Sequence, residues 1–368
     1  MFLSSSTPAL VLAPMDGVTD SLMRELLTAE CPFSYCVTEF IRVSKQIPPA
    51  QLFLRDVPEI ASGCRTSAGV AVQVQLLGGD PDAMALSAQR AVALGALGVD
   101  INFGCPAPTV NRHDGGATLL KFPERIEAIV SAVRSAVPSK YPVSAKLRLG
   151  WDDPRSIITN AERAARGGAS WITIHGRTKM QGYTPPAYWK PIGEVRRNLS
   201  IPVVANGEIW SLEDLKRCED ESHCRHFMLG RAALARPSVV AECARYLGIS
   251  VRHGLQPHPA ALNCAQEGSL SLAALWPERL ERVISASMAC GEGPRKTLSR
   301  LKQWLNYAHK YEQRSVLMGS AVNDLQLESR VGSALFEQIK RASDLSTVRA
   351  IVQSASAGSI DYLQADAA

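Results

Sequence analysis

The sequence predicts an α/β chain, a (β/α)8 TIM barrel followed by a small all-helical domain. Three observations predict it. Eight short apolar, β-branched runs recur over about the first 245 residues, each followed by a polar or glycine-rich turn and an amphipathic or alanine-rich stretch. The runs are apolar almost without interruption, as parallel strands covered on both faces are. Beyond Val251 this grammar stops and only helical periodicity remains. An open doubly wound sheet of similar length is the competing architecture, but eight strand–helix units favour closure into a barrel.

Strands are expected at Ala9–Met15, Cys36–Phe40, Val70–Leu77, Val99–Phe103, Val143–Leu149, Trp171–His175, Ile201–Ala205 and Phe227–Leu229. Between them, a helix over Ser21–Glu30 opens after Asp20, a good N-cap residue. Another, over Pro81–Leu94, has Asp80 before it and proline at the favoured first position. Pro123–Val137 is apolar at Ile126, Ile129, Val130 and Val133. Ser156–Arg166 stops at Gly167-Gly168, and Leu212–Cys218 follows Ser211. Residues 1–250 therefore form the barrel domain. The segment 251–275, rich in Pro, Gly, Asn and Ser, reads as a linker or insertion. Helices over Pro277–Met288, Lys296–Tyr311, Ser329–Ala342 and Ser346–Ser356 make up a second domain, 276–356, before a flexible tail at 357–368.

Hydrophobic residues are 46% and charged residues 20% of the 368, so a sizeable core is expected rather than disorder. The net charge of +5 is too mild to name a partner by itself. Nine cysteines lack the close, even spacing of a disulfide framework. Cys31 and Cys36 have no second ligand pair, so no metal is expected. No run approaches a membrane span and the N-terminus lacks a signal-peptide layout. A monomer in a reducing cytoplasm is expected.

Chemistry-capable residues gather at one end of the expected strands, the end where parallel barrels place their active sites. In chain order they are Pro14-Met15-Asp16-Gly17; Glu39 with Arg42 beyond; Gln73 and Gln75; Asn102-Phe103-Gly104-Cys105-Pro106; Lys146 and Arg148; His175-Gly176-Arg177; Asn206-Gly207-Glu208; and Gly230-Arg231. Each alone has a plain reading: Gln75 a satisfied core amide, Lys146 a snorkelling chain, His175 a core histidine, Glu39 a loop cap. Together those readings fail, because each unmatched polar group buried in a barrel costs about 1–3 kcal/mol. The glycines after strands seven and eight lie where barrels build phosphate sites, and Arg231 can add charge there. Cys105, in a Gly-Cys-Pro turn before a long loop, can serve as nucleophile, acid or ligand; the other eight cysteines read as buried thiols. In the second domain, Lys296, Arg300, Gln303, Tyr307 and Lys310 follow one helix face, with Trp304 alongside. That is either a solvated face or a nucleic-acid surface.

Eight segments in order across the barrel resemble the tRNA-dihydrouridine synthase family. They are Leu12–Asp20 (LAPMDGVTD), Gln73–Gly78 (QVQLLG), Asp100–Pro106 (DINFGCP), Gly115–Leu120 (GGATLL), Lys146–Trp151 (KLRLGW), Ile174–Thr178 (IHGRT), Ala205–Ile209 (ANGEI) and Met228–Ala232 (MLGRA). Lys302–Leu305 (KQWL) and the Gly-Trp-Asp after strand five resemble its bacterial type C subgroup, which acts on position 16 of the tRNA D-loop. Two departures stand out: Pro108, where many members have lysine, and a longer insertion at 255–275.

The resemblance implies a flavin mononucleotide (FMN) over the barrel mouth and NADPH as electron donor. Pro14, Met15 and Asp16 would lie along the flavin ring, with Gln75 and Lys146 at its polar edge. His175 would stand beside the ring, while Asn206, Gly207, Glu208, Gly230 and Arg231 would hold the ribityl chain and phosphate. Cys105 would protonate the uracil, Asn102 would bond its edge, and Arg42, Tyr183, Lys296, Arg300 and Lys302 would hold the tRNA. Two other readings compete. A flavin barrel reducing a free pyrimidine, as dihydroorotate dehydrogenase does, leaves the basic helix without a role. An RNA-binding module that has lost catalysis leaves Cys105, Lys146 and His175 without one.

Overall fold

The computed structural model describes residues 2–4, 6–111, 115–249, 275–317 and 324–356. Apart from Leu275, the expected insertion at 251–275 lies outside these residues, as do the tail at 357–368 and Arg112, His113 and Asp114.

Eight parallel strands close into a barrel in sequence order: β1 Ala9–Leu12, β2 Tyr35–Arg42, β3 Ala71–Leu77, β4 Val99–Asn102, β5 Val143–Arg148, β6 Ile172–His175, β7 Val203–Asn206 and β8 His226–Leu229. Closure runs from Ala9 opposite His226 to Leu12 opposite Leu229. The fold is the expected TIM barrel, and the open-sheet alternative falls. β1 is shorter than expected because Pro14 has no N–H to extend the ladder, although Ala13 N–H still donates to Leu229 at 2.8 Å. β2 runs longer than expected, with a bulge between Val37 and Phe40.

The helices in chain order are α1 Ser21–Glu30, α2 Ala50–Asp56, α3 Pro81–Leu94, α4 Pro108–Asn111, α5 Pro123–Ala136, α6 Ser156–Arg166, α7 Lys190–Asn198, α8 Leu212–Ser222, α9 Arg231–Ala235, α10 Ser238–Tyr246, α11 Leu275–Ala289, α12 Pro294–Leu317, α13 Asp324–Ile339 and α14 Leu345–Ser356. Short 3-10 turns cover Pro58–Ser62 and Gly116–Lys121. The expected caps form. Asp80 accepts from Ala83 N–H at 2.8 Å and Ser211 from Asp214 N–H at 3.0 Å. After α6, Gly168 turns at φ +97°, where a side chain is disfavoured.

The chain divides into two compact units. The first takes the described residues of Met1–Ser21, Pro32–Gly230 and Glu242–Ser250; the second takes those of Leu22–Cys31, Arg231–Ala241 and Val251–Ala368. In the first, Phe2, Tyr35 and Trp171 pack edge-on or tilted, with ring centroids 5.2–6.0 Å apart, in the cluster at the N-terminal ends of the strands. The barrel is thus a packed core rather than a pore, and its polar groups collect toward the opposite rim. In the second, Trp276 and Trp304 meet at 5.3 Å, and buried Arg279 bridges Glu30 (2.7 Å) and Glu328 (2.5 Å).

Candidate active site

The turn after β1 is built by backbone geometry. Gly17 sits at φ +74°, Val18 and Thr19 N–H both donate to Met15 O at 2.9 Å, and Thr19 Oγ1 accepts from Met15 N–H at 2.8 Å. Glu39, at the bulge of β2, accepts from Val18 N–H at 2.9 Å, so it does cap a loop. These bonds set Pro14, Met15 and Asp16 along the rim. Partial burial raises the Asp16 carboxyl above its ordinary value. Arg42, exposed, donates to Thr109 O at 3.2 Å across the mouth of the Cys105 loop.

Strands β3, β4 and β5 contribute a buried polar layer. Gln75 stands opposite Asp100, Asp100 opposite Ser144, and Asn102 opposite Lys146. Alternation on a strand sends Asp100 and Asn102 to the same face, as it does Gln73 and Gln75. Gln73 Nε2 donates to Ser144 Oγ at 2.9 Å, Ser144 Oγ to Asp100 at 2.5 Å, Gln75 Nε2 to Asp100 at 2.7 Å, and Asn102 Nδ2 to Gln75 Oε1 at 2.8 Å. Asn102 Oδ1 then accepts from the N–H groups of Gly104 and Cys105, both at 2.9 Å.

Cys105 is held from both sides, since its carbonyl accepts from Ala117 N–H at 3.1 Å and Asn111 Nδ2 at 3.3 Å. Gly116, at φ +60°, lets the loop close here: a Cβ on it would lie 2.9 Å from that carbonyl. The thiol is half-buried, unlike the other described cysteines, which are buried except for exposed Cys290. Burial pushes the Cys105 thiol above its ordinary value, with Asp16 adding to the effect. The Ala107 hydrogen bond and the charges of Arg148 and Arg42 oppose it. At neutral pH the group is therefore a thiol, the form that can give a proton.

Lys146 Nζ points across the mouth to Asn206 Oδ1 at 3.1 Å, and Asn206 Nδ2 is anchored on Met228 O at 2.8 Å. Desolvation, and secondarily the charge of Arg148, bring Lys146 down to about 8. His175 is buried beside Gly207, whose Cβ, had it one, would lie 3.2 Å from His175 Nε2. Gly207 sits at φ +112° and its carbonyl accepts from Trp189 Nε1 at 2.9 Å. Gly230 faces Met15, 3.3 Å from its sulfur to a Cβ placed there. The Glu208 carboxylate turns away to the buried Arg177 guanidinium at 2.7 Å, so the side chain is engaged in an ion pair.

Several contacts along this rim have no mark in the sequence. Arg148 holds the loop after β6 through Thr178 O (3.1 Å) and Gly182 O (2.8 Å), and its guanidinium lies 5.1 Å from the exposed Tyr183 ring. His175 meets that ring edge-on at 6.4 Å. On the same rim, Lys121 and Lys179 both stand over Trp151, 3.9 and 4.2 Å from its ring. Such a pairing of distant positions leaves no spacing signal in the sequence. For Asp100 and Ser144 a signal existed, the two-residue alternation with Asn102 and Lys146.

In the helical unit the basic face of α12 is partly committed. Lys296 and Arg300 both pair with Glu292, at 2.6 and 2.7 Å, and Lys302 donates to Ala342 O at 2.7 Å. Trp304 does not join that face: it is buried, its indole N–H on Leu234 O at 2.9 Å. Leu301, Leu305 and Ala308 bury on the same side, and that apolar stripe captures the indole. Arg231 opens α9 and belongs to this unit. Among the described residues there is no cluster of three metal-ligating side chains, and no helix long and apolar enough to cross a membrane.

Residues 11–268 match the family described as dihydrouridine synthase. Curated relatives that carry the name tRNA-dihydrouridine(16) synthase include the following three. The protein of Shewanella oneidensis is 42% identical over 302 residues, 82% of this chain and 88% of that one. That of Aquipseudomonas alcaligenes is 43% identical over 296 residues, 80% and 89% of the two chains. That of Neisseria meningitidis serogroup B is 37% identical over 343 residues, 93% of each.

Proposed function

The chain belongs to the dihydrouridine synthase family, and from that premise we propose that it reduces uridine to 5,6-dihydrouridine at position 16 of the tRNA D-loop, in the cytoplasm, with FMN bound and NADPH as electron donor. The observation that carries this reading is the convergence of one half-buried, proton-bearing thiol, Cys105, with Lys146, His175 and the Gly207 turn on a single barrel rim.

The residues present fit a flavin. Lys146 has a half-buried ammonium whose hydrogen-bond partner among the described residues is one amide oxygen, leaving donors for the carbonyl edge of an isoalloxazine. Gly207 and Gly230 leave open the space that a Cβ would take. Gly207, Gly230, the backbone at Glu208 and Arg231 are the proposed holders of the ribityl phosphate, and Pro14, Met15 and Asp16 of the ring. When bound, the flavin supplies hydride to C6 of the uracil.

The protein's own part is to place and protonate the base. A loop uridine must leave its stack, which takes a few kcal/mol. Cys105 Sγ–H then gives its proton to C5, and the raised thiol keeps that proton available through neutral pH. The second Nδ2 hydrogen of Asn102 is the proposed contact to the uracil edge, its other bonds being used to hold the turn. Tyr183, Arg42, Lys296, Arg300 and Lys302 are proposed tRNA contacts, with Lys121 and Lys179 beside Trp151 as further phosphate partners on the barrel rim. The test is Cys105→Ala: flavin reduction by NADPH persists and dihydrouridine formation from tRNA is lost. Normal dihydrouridine yield from that variant overturns the assignment.

A further inference from the structure

The hydrogen-bond chain beneath Cys105 has a direction, and one residue sets it. A carboxylate only accepts, whereas a carboxamide can present either its oxygen or its nitrogen. Asp100 receives Ser144 Oγ–H on one oxygen (2.5 Å) and Gln75 Nε2–H on the other (2.7 Å). With its nitrogen turned to Asp100, Gln75 shows its oxygen to Asn102 and accepts from Nδ2 at 2.8 Å. That turns Asn102 Oδ1 outward, onto the N–H groups of Gly104 and Cys105 at 2.9 Å each. Reversing either amide would set oxygen against carboxylate, or N–H against N–H.

No lysine or arginine lies within ion-pair distance of Asp100 among the described residues, so it is not half of a structural salt bridge. Burial pushes its carboxyl up, while Ser144, Gln75 and the charge of Lys146 pull it back toward ionisation. A buried acid of this kind is costly unless its acceptor-only character is used.

We propose that Asp100 is a positioning residue for Cys105: through Gln75 and Asn102, its carboxylate dictates which atom of Asn102 meets the turn and so where the thiol stands. The catalytic meaning of this rests on Cys105 being the proton donor; the geometry does not.

The chain can be rewritten in the opposite direction, which supplies the test. In Asn102→Asp the new carboxylate still accepts from Gly104 and Cys105 but has no hydrogen for Gln75, whose oxygen must then face one carboxylate or the other. Adding Asp100→Asn restores every bond with Gln75 turned over: Gln75 Nε2 donates to residue 102, residue 100 donates to Gln75 Oε1, and Ser144 donates to the amide oxygen of residue 100. The readout is the alkylation rate of Cys105 by iodoacetamide, followed across pH to its limiting thiolate value so that a carboxylate moved nearer the thiol does not enter through its titration, and resolved by peptide mass spectrometry on the full chain. Asn102→Asp should change the rate about tenfold or more, from loss of a buried hydrogen bond. The double variant should return to within about twofold of the parent, the non-additivity expected of groups in one network. An unchanged rate in Asn102→Asp, or a double variant that deviates as the single one does, overturns the proposal. If Asn102→Asp does not fold, the double variant decides alone. A folded protein with the parent's rate supports the proposal, and failure to fold or an altered rate overturns it. Because alkylation reads the turn whether or not the protein reduces uridine, failure here is separable from failure of the dihydrouridine reading, which Cys105→Ala tests.

Discussion

Lys146 carries its ammonium into the barrel mouth with one amide oxygen as its hydrogen-bond partner among the described residues, and the consequence can be measured. Desolvation, then the charge of Arg148, lower it from 10.5 to about 8. A drop of that size corresponds to about 3 kcal/mol of charging penalty at roughly 1.4 kcal/mol per unit. Because the residue keeps part of its surface open to the mouth, about 2 kcal/mol is the working figure after screening. Below pH 8 both folded and unfolded chains hold the proton, and the folded state bears the whole penalty. Between about 8 and 10.5 the folded state has released the proton and the unfolded chain still holds it, so stability climbs with pH. Lys146→Met removes the penalty and forfeits one hydrogen bond worth about 1 kcal/mol. The flavin-free variant should therefore be about 1 kcal/mol more stable at pH 7, roughly 2–4 °C in Tm for a unit of this size. That advantage should shrink across pH 8 to 10.5. The same variant should bind FMN roughly ten- to a hundredfold more weakly, having lost a charge-assisted bond. Thermal melts of flavin-free parent and variant from pH 6.5 to about 10.5, compared as differences, isolate this group from the cysteines and tyrosines that titrate nearby. A variant that is less stable at pH 7, with a difference that does not move with pH, refutes the reasoning.

Three further outcomes follow from the same rim. Gly207→Ala forces a side chain into φ +112° and toward His175 Nε2, so it should cost about 1–3 kcal/mol and lower flavin content, read by melting and by absorbance of the purified protein. Arg177→Met leaves Glu208 buried without its cation and should destabilise by about 3–5 kcal/mol in urea unfolding; adding Glu208→Gln should recover most of the loss. Lys121→Glu with Lys179→Glu should lower the salt slope of tRNA binding by about one unit per lost phosphate contact, measured by filter binding at several salt concentrations, with thermal stability unchanged.

The barrel was legible because its signal is repetitive. Eight apolar runs with polar ends cannot be rearranged without burying those ends, and the caps at Asp80 and Ser211 are local chemistry that tertiary contacts leave alone. What was missed in the fold is also physical. The helix Lys190–Asn198 opens after Trp189 with no side-chain cap, so the usual start signal was absent. The helices Arg231–Ala235 and Ser238–Tyr246 follow β8 with small residues and a proline between them, which reads as loop. Trp304 looked like part of a nucleic-acid face because helical spacing alone does not say where a bulky aromatic beside a leucine stripe will turn; burial against Trp276 decides it.

The site itself was legible by position and not by partner. Strand order placed Gln75, Asn102, Cys105, Lys146, His175 and Asn206 at one rim, but which atom each presents depends on contacts between strands. Glu208 shows the difference. Its place after Asn206-Gly207 suggested a phosphate holder, yet a carboxylate repels phosphate, and here it is neutralised by Arg177, two positions after His175 on the neighbouring strand's loop. Asn102 shows it again. Three of its hydrogen-bonding capacities are taken by Gln75, Gly104 and Cys105, so any contact it makes to a base uses what remains. A rim whose polar groups mostly satisfy one another is assembled before any ligand arrives, and preorganisation of this kind favours a transition state over a flexible ground state. Among the described residues, the donors of Lys146 not used by Asn206, the second Nδ2 hydrogen of Asn102 and the half-buried thiol of Cys105 remain available at that rim, which is why the proposed reading assigns them to flavin and base.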